Sequence, residues 1–162
     1  MTDLTIRPYS TQHKQTVLDL TVEAWTPVFE RTREDVPAFA YDAFYPDGWQ
    51  TRQRIDVETL LDTDPQGIWI AWLGEQAAGF LGIKLHPEDQ MGEIYIIAVS
   101  PRFQRQGIST RLMAFAEEHV RRAGMKMMMV ETIGDRGHEP ARRSYEAFGF
   151  EPWPVARYFK EL

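Results

Sequence analysis

Apolar and polar positions in the first third of the chain predict one strand followed by helices. Residues 4–8 alternate between apolar and polar as a short strand does. Ser10 or Thr11 can cap a following helix whose apolar positions recur at helical spacing up to Trp25, and Pro27 is expected to end it. The next segment is rich in aromatic and charged residues, and we expect helical pieces around residues 37–44 and 50–61.

The middle of the chain predicts a β-sheet. Residues 68–73 form a continuous apolar run, and residues 77–85 return after a turn as the second strand of a hairpin. Residues 93–99 are apolar on both faces, which is typical of a central strand that is covered on both sides.

The last third predicts a strand, a helix and a second strand in a right-handed βαβ unit. After residues 93–99, apolar residues recur at helical spacing from Ile108 until Gly124 stops the helix, and residues 127–131 then form a buried strand. A last helix opens at Glu139 or Pro140, and residues 150–160 are expected to supply one or two strands. The predicted fold is α/β, with a mixed, mostly antiparallel central sheet that contains one parallel pair and is flanked by helices.

Composition narrows the function classes. A chain of 162 residues fits a single domain, 1–162. The net charge of −6 disfavours nucleic acid and anionic membrane surfaces as partners. Cysteine is absent, and the four histidines show no metal-ligand spacing, so we expect no metal site. No apolar run approaches the length of a membrane span and no leader pattern is visible, which favours the cytoplasm.

A basic turn that contains glycine joins the predicted central strand to the helix that follows it. The first turn of a helix leaves backbone N–H groups without partners and carries partial positive charge, so phosphates bind there. Gly107 lets the backbone approach an anion, Ser109 keeps the next exposed position small, and Arg102 and Arg105 add positive charge. This turn is therefore predicted to bind an anionic group.

At these residues the chain resembles the GNAT superfamily of acyl-CoA-dependent N-acyltransferases. The family's pyrophosphate loop reads Gln or Arg, two residues, Gly, one residue, then Gly or Ala, and residues 104–109 match it with Ser109 at the last position. Residues 141–150 resemble the second family signature, a helix that carries a tyrosine and ends at Gly-Phe. His138 stands where the family often has asparagine.

The resemblance implies an acetyl-CoA-dependent N-acetyltransferase of the fold predicted above. Transfer would be direct, in a ternary complex with a primary amine on a small molecule or a peptide, and dimers are common among relatives. The central strand would splay from its parallel neighbour so that its backbone binds pantetheine. The residues implied to bind the cofactor are Ile97, Ala98, Val99, Gln104, Arg105, Gln106, Gly107, Ile108, Ser109 and Thr110.

The resemblance also suggests catalytic residues. Tyr145 falls at the family's general-acid tyrosine, although a tyrosine there can also simply pack in the core. Glu93 matches a position where some members carry a general-base glutamate, and the alternative is a solvated charge at the strand end. Glu131 is a second candidate base, and His138 is interpreted as a loop residue or a minor cofactor contact.

Two other functions stay open at this level. One is a non-catalytic acyl-CoA-binding module that senses the cofactor or regulates a partner. The other is a nucleotide-binding protein, which the absence of a Gly-x-x-x-x-Gly-Lys-Ser/Thr pattern disfavours. The acceptor is not encoded in any motif. The aromatic and acidic residues between Trp25 and Trp49 are interpreted mainly as core and solvated surface, but some of them are expected to line the acceptor pocket, where the acidic side chains could attract an amine.

Overall fold

The computed structural model describes residues 3–162. Five strands and five α-helices follow one another along the chain. In chain order they are β1 (Leu4–Pro8), α1 (Lys14–Asp35), α2 (Ala38–Phe44), α3 (Trp49–Thr63), β2 (Ile68–Leu73), β3 (Gln76–His86), β4 (Met91–Val99), α4 (Ile108–Arg122), β5 (Met127–Val130) and α5 (Glu139–Phe148).

The strands form one mixed sheet in the order β1-β2-β3-β4-β5. Neighbouring strands from β1 to β4 are antiparallel, and only β4 and β5 are parallel. A parallel pair needs a long crossover, and α4 supplies it. The predicted fold class is therefore confirmed.

Helices cover both faces of the sheet. On one face α1 and α3 pack through Val17 and Leu61 onto Ile70 and Phe80. On the other face α4 packs onto the sheet through residues such as Leu112. Ile94 belongs to the α4 side and Ala98 to the α1 side, so β4 is covered on both faces as predicted. No helix within residues 3–162 has both the length and the apolar character needed to cross a bilayer.

The predicted end of the first helix at Pro27 is wrong, because α1 continues through Pro27 to Asp35. A proline inside a helix costs about 3 kcal/mol, since one hydrogen bond is lost and its ring crowds the preceding turn. Tertiary packing offsets this cost, because Phe29 and Thr32 beyond the proline are buried and Phe29 stacks on Trp49 at 4.5 Å. The predicted cap also differs, since Ser10 precedes a short 3-10 turn and makes no capping hydrogen bond.

The aromatic segment forms a small core of its own, as predicted. Phe29, Tyr41 and Trp49 are buried together, with Tyr45 against them. Both helices predicted in this region are present as α2 and α3, with boundaries within two residues of those expected.

Two predictions near the end of the chain are wrong. Residues 151–162 form no strand and are exposed throughout. Pro152 and Pro154 have no N–H to donate to a sheet ladder. The strand β5 is only partly buried, with Met127 52% exposed, because β5 lies at the edge of the sheet.

Candidate functional site

The two parallel strands separate partway along β4. Pairing with β5 runs from Met91 opposite Met127 to Ile94 opposite Val130, and β4 then continues to Val99 paired with β3 only. The backbone of the last five residues of β4 is therefore open on the side that faces away from β3. The residues predicted to bind the cofactor, Ile97, Ala98 and Val99, lie in this stretch, which pairs with β3 only.

A β-bulge at Tyr95 marks the point of separation. Gly82 is paired with Ile96 and Ile83 with Ile94, so Tyr95 is an extra residue without a partner on β3. Both Tyr95 and Ile96 pack towards α1 and α3, which breaks the usual alternation of side chains. Gly82 makes room for the bulge, because a Cβ there would lie 2.6 Å from the Cζ of Tyr95.

The turn after β4 holds its shape through backbone contacts. Ser100 is fully buried, its N–H donates to Ala78 O at 2.9 Å, and its Oγ accepts from Arg102 N at 3.3 Å. Arg105 and Gly107 then adopt left-handed conformations, with φ of 61° and 75°. A non-glycine residue in that region costs about 1–2 kcal/mol, and such strain concentrates at ligand-binding loops.

The turn leaves the start of α4 open. The first backbone hydrogen bond of the helix runs from Arg111 N to Gly107 O, and no side chain in the described part of the chain caps the N-terminus. A Cβ built on Gly107 would meet no described atom within 4 Å. The backbone N–H groups of the first turn of α4 are thus uncovered and carry partial positive charge, which suits a phosphate group. We call this surface, formed by Gly107 and the first turn of α4, the cradle.

The two arginines of the turn have different surroundings. Arg102 donates from Nε to Glu23 Oε1 on α1 at 2.8 Å, so its charge is balanced within the protein. The Arg102 side chain stays largely exposed and lines the same pocket as Gln106 and Ile108, so its contribution to the anion site stays a prediction. Arg105 forms no ion pair among residues 3–162 and remains exposed.

Tyr145 lies on α5 and packs against the α4 side of the core. Its ring meets Phe150 edge-to-face at 6.1 Å. Burial raises the pKa of the Tyr145 phenol to about 12, so the hydroxyl keeps its proton at neutral pH. A contact between Ser109 Oγ and Ser144 Oγ at 3.2 Å ties α5 to the first turn of α4.

Glu93 lies in the paired part of β4, opposite Lys84 on β3 and Met129 on β5. Its Oε2 is 2.7 Å from His86 Nε2, and this hydrogen bond raises the pKa of His86. Val99 is six residues further on, which corresponds to about 20 Å along a strand. Glu131 follows β5 and is exposed.

Sequence reasoning missed a polar cluster around His138. Asp135, only 4% exposed, is 2.5 Å from His138 Nδ1 and accepts from Thr32 Oγ1 at 2.6 Å and Gly137 N at 3.0 Å. The spacing Asp-x-x-His before a helix was the available signal, but Thr32 is 103 residues away in sequence. Within residues 3–162, no three His, Asp or Glu side chains group as a metal site would require.

Ion pairs also fix the loop before α5 to α1. The Arg136 guanidinium contacts Asp35 at 2.6 Å and Glu34 at 3.1 Å. The Arg136 hydrogen bonds lower the pKa of the Asp35 carboxyl. The loop that carries His138 is thereby fixed to the second half of α1.

Comparison with known proteins agrees with this geometry. Residues 21–150 match the family model described as the acetyltransferase (GNAT) family. The mycothiol acetyltransferase of Thermomonospora curvata is 34% identical over 92 residues, which cover 57% of this chain and 30% of that protein. The chain thus spans about a third of the length of this curated relative.

Solved structures share the fold. The putative acetyltransferase YycN from Bacillus subtilis superposes with a TM-score of 0.69 at 20% identity, covering 99% of each chain. The PaiA N-acetyltransferase from Thermoplasma acidophilum, solved in complex with coenzyme A, gives 0.68 at 15% identity and covers 95% of this chain and 93% of that one.

Proposed function

The chain belongs to the GNAT family of acetyltransferases, and on that premise we propose that it transfers an acetyl group from acetyl-CoA to a primary amine. The main observation behind the proposal is that β4 separates from β5 after Ile94 and leads, through the turn after Val99, to the uncapped start of α4. An open strand edge and an adjacent helix N-terminus fit an extended chain that ends in a pyrophosphate. The coenzyme A bound to PaiA supports this choice of donor.

Each part of the site has a proposed role. Backbone groups of Ile97, Ala98 and Val99 bind the pantetheine arm, and the first-turn N–H groups of Ile108, Ser109 and Thr110 bind the pyrophosphate. Gln104, Arg105 and Gln106 border this cradle, and Gly107 keeps it open. Acetyl-CoA supplies an activated thioester. The chain itself has to orient the amine, remove its proton and stabilise the departing thiolate.

Tyr145 is proposed to act on the sulfur, because its phenol stays protonated and can donate a hydrogen bond to a thiolate. Glu93 is the proposed base that accepts the proton of the amine. His86 would share that proton through its 2.7 Å contact with Glu93. His138 is a second candidate base, because Asp135 holds its Nδ1 and leaves Nε2 as the nitrogen that can exchange a proton. Comparing Glu93→Gln with His138→Gln separates them, since only loss of the true base removes the acidic limb of the kcat/KM profile.

The acceptor is proposed only as a primary amine. The mycothiol acetyltransferase is only 34% identical over 92 residues, and this chain covers about a third of its length, so its name does not supply the acceptor. We therefore propose screening amines with a thiol-release assay.

Binding of the donor can be tested without knowing the acceptor. Thermal unfolding is measured with acetyl-CoA, CoA and ATP, each at about 100 times its expected Kd, where binding adds about 2.7 kcal/mol. For a chain of this length that corresponds to a rise in Tm of roughly 5–10 °C. We expect the rise with both CoA species and not with ATP.

Two glycines provide a matched pair of variants. Gly107 and Gly124 both have φ near +75°, and neither would bring a Cβ within 4 Å of a described atom. Alanine at either position should therefore cost a similar 1–2 kcal/mol without ligand. Only Gly107→Ala should lose the rise in Tm with acetyl-CoA. Equal rises in both variants would refute the cradle, while a rise without thiol release from any amine would favour the sensor.

A further inference from the structure

Arg142 on α5 binds two backbone carbonyls of residues 131–135, which follow β5 and which we call the β5 extension. Its Nη1 donates to Ile133 O at 2.6 Å and to Asp135 O at 2.8 Å. No carboxylate in the described part of the chain forms an ion pair with Arg142, whereas the neighbouring Arg143 pairs with a glutamate of its own helix. The positive charge of Arg142 is therefore directed at the backbone of the β5 extension.

The two bound carbonyls are the ones that a longer β5 would direct at β4. In a parallel ladder, every second residue of a strand turns both its N–H and its C=O towards the same neighbour. Met127 faces β4 in this way, because its N–H donates to Gln90 O just before β4. Counting by twos from Met127 reaches Ile133 and Asp135. Arg142 therefore occupies carbonyls that would otherwise be free to continue the ladder.

The bulge at Tyr95 interrupts the ladder from the side of β4. Ser100, directly after β4, donates its N–H to Ala78 O on β3, so the even-numbered residues face β3 after the bulge. Ile97 and Val99 then turn their N–H and C=O groups towards the gap. Ahead of the bulge the even-numbered residues face β5 instead, so the register with β5 cannot continue past Tyr95.

We propose that Arg142 is a positioning residue that holds the gap between β4 and the β5 extension open for the donor. It does so by binding the carbonyls with which the β5 extension could close on β4. This inference deepens the proposed function and rests on it, because an open gap matters to the reaction only if acetyl-CoA enters there. The bulge removes the register on one side of the gap, and Arg142 removes the hydrogen-bond acceptors on the other.

The β5 extension is held from two sides. Thr32 Oγ1 on α1 donates to Asp135 Oδ2 at 2.6 Å, so Asp135 is bound by α1 through its side chain and by α5 through its carbonyl. The helix α5 is itself tied to the first turn of α4 by the contact between Ser109 and Ser144. Replacing Arg142 would therefore release the β5 extension from α5 while its link to α1 remains.

Loss of the Arg142 guanidinium should weaken donor binding and leave the chemical step intact. Once its carbonyls are free, the β5 extension can accept hydrogen bonds from the open edge of β4, and the donor then binds only the fraction of molecules that stay open. A closed form that outweighs the open one by about ten to one raises the Kd of acetyl-CoA and of CoA about tenfold. The kcat at saturating donor should stay within about twofold, because bound donor keeps the gap open.

Arg142→Met is the test variant, and Arg143→Met is its matched control. Both remove one arginine from the same helix and keep a long unbranched side chain, but only Arg142 contacts the β5 extension. Kd is measured by titration calorimetry with acetyl-CoA and with CoA, and kcat and KM by thiol release with an amine from the screen. We expect the rise in Kd in Arg142→Met alone. An unchanged Kd in that variant, or an equal rise in both variants, would overturn the proposal.

Amide hydrogen exchange of the ligand-free protein gives a second readout, which an arginine that only stabilises the fold would not move in the same direction. The N–H groups of Ile97 and Val99 face the gap, so closure of the β5 extension covers them. We expect slower exchange at both amides in Arg142→Met, measured by NMR, and wild-type exchange in Arg143→Met. Equal or faster exchange in Arg142→Met would overturn the proposal.

Two further comparisons keep the outcomes distinct. Circular dichroism checks that the variants fold, and if Arg142→Met does not fold, Arg142→Lys against Arg143→Lys should show smaller changes in the same directions. A wild-type chain that binds neither acetyl-CoA nor CoA would refute the proposed donor. The exchange rates at Ile97 and Val99 would still decide whether Arg142 holds the gap open, because they are measured without ligand.

Discussion

Replacing Tyr145 with phenylalanine tests how the leaving thiolate is stabilised. Burial raises the pKa of the Tyr145 phenol to about 12, whereas an ordinary thiol has a pKa near 8.5. Complete proton transfer from this phenol to the thiolate is therefore uphill by about 3.5 pKa units, or roughly 5 kcal/mol. We infer that Tyr145 donates a hydrogen bond to the developing thiolate and that the proton which neutralises the thiolate comes from the attacking amine nitrogen, which loses it as the neutral amide forms.

The expected loss in Tyr145→Phe follows from that role. A hydrogen bond to a charged group contributes about 1.5–3 kcal/mol, which corresponds to a fall in kcat of about 10- to 150-fold. The KM for acetyl-CoA should change little, because the bond strengthens only as charge develops on the sulfur. The assay is steady-state thiol release with saturating amine, measured from about pH 6 to pH 10.

The pH dependence of kcat tests the role of Tyr145 more directly than the size of the loss does. The wild-type profile should lack any limb from Tyr145 below about pH 10, because the phenol stays protonated throughout. Tyr9→Phe is the matched control, since it removes a buried hydroxyl that has no hydrogen-bond partner among residues 3–162, and it should leave kcat unchanged. An unchanged kcat in Tyr145→Phe, or the loss of a limb near pH 8–9 in that variant, would refute this account.

Three further predictions concern stability. Glu93→Gln should lower Tm most at about pH 5, because the hydrogen bond to Glu93 raises the pKa of His86 in the folded protein. The stability gained from that raised pKa is fully present below the unfolded pKa near 6.5 and is lost as the pH rises through the folded pKa. A Tm difference that is constant with pH would contradict this prediction. Gly92→Ala should lower the free energy of unfolding, measured by urea denaturation, by about 1–3 kcal/mol, because its Cβ would clash with Cγ2 of Val120. Adding Val120→Ala should recover part of that loss. Asp135→Asn should cost about 1.5–3 kcal/mol by the same measurement, because the carboxylate accepts several hydrogen bonds while only 4% exposed; a loss within experimental error would mean that the cluster contributes nothing.

The position of the glycine turn between β4 and α4 could be predicted, and the polar groups around it could not. Gly107, Ser109 and Tyr145 stand at fixed spacings in two local motifs, and local motifs survive folding unchanged. The hydrogen bond between Glu93 and His86 depends on the hairpin that joins β3 to β4. The cluster at Asp135 needs Thr32, which only a continuous α1 brings within reach.

The sequence by itself determined the order of the elements, the class of the sheet and the open turn before α4. These features rest on hydrophobic periodicity and on glycine conformations, which act over a few residues. Only the tertiary structure decided that α1 passes through Pro27, that β4 bulges at Tyr95 and that residues 151–162 join none of the five described strands. The physical reason is that each of these depends on packing between segments far apart in the chain, where the burial of distant side chains outweighs local preference.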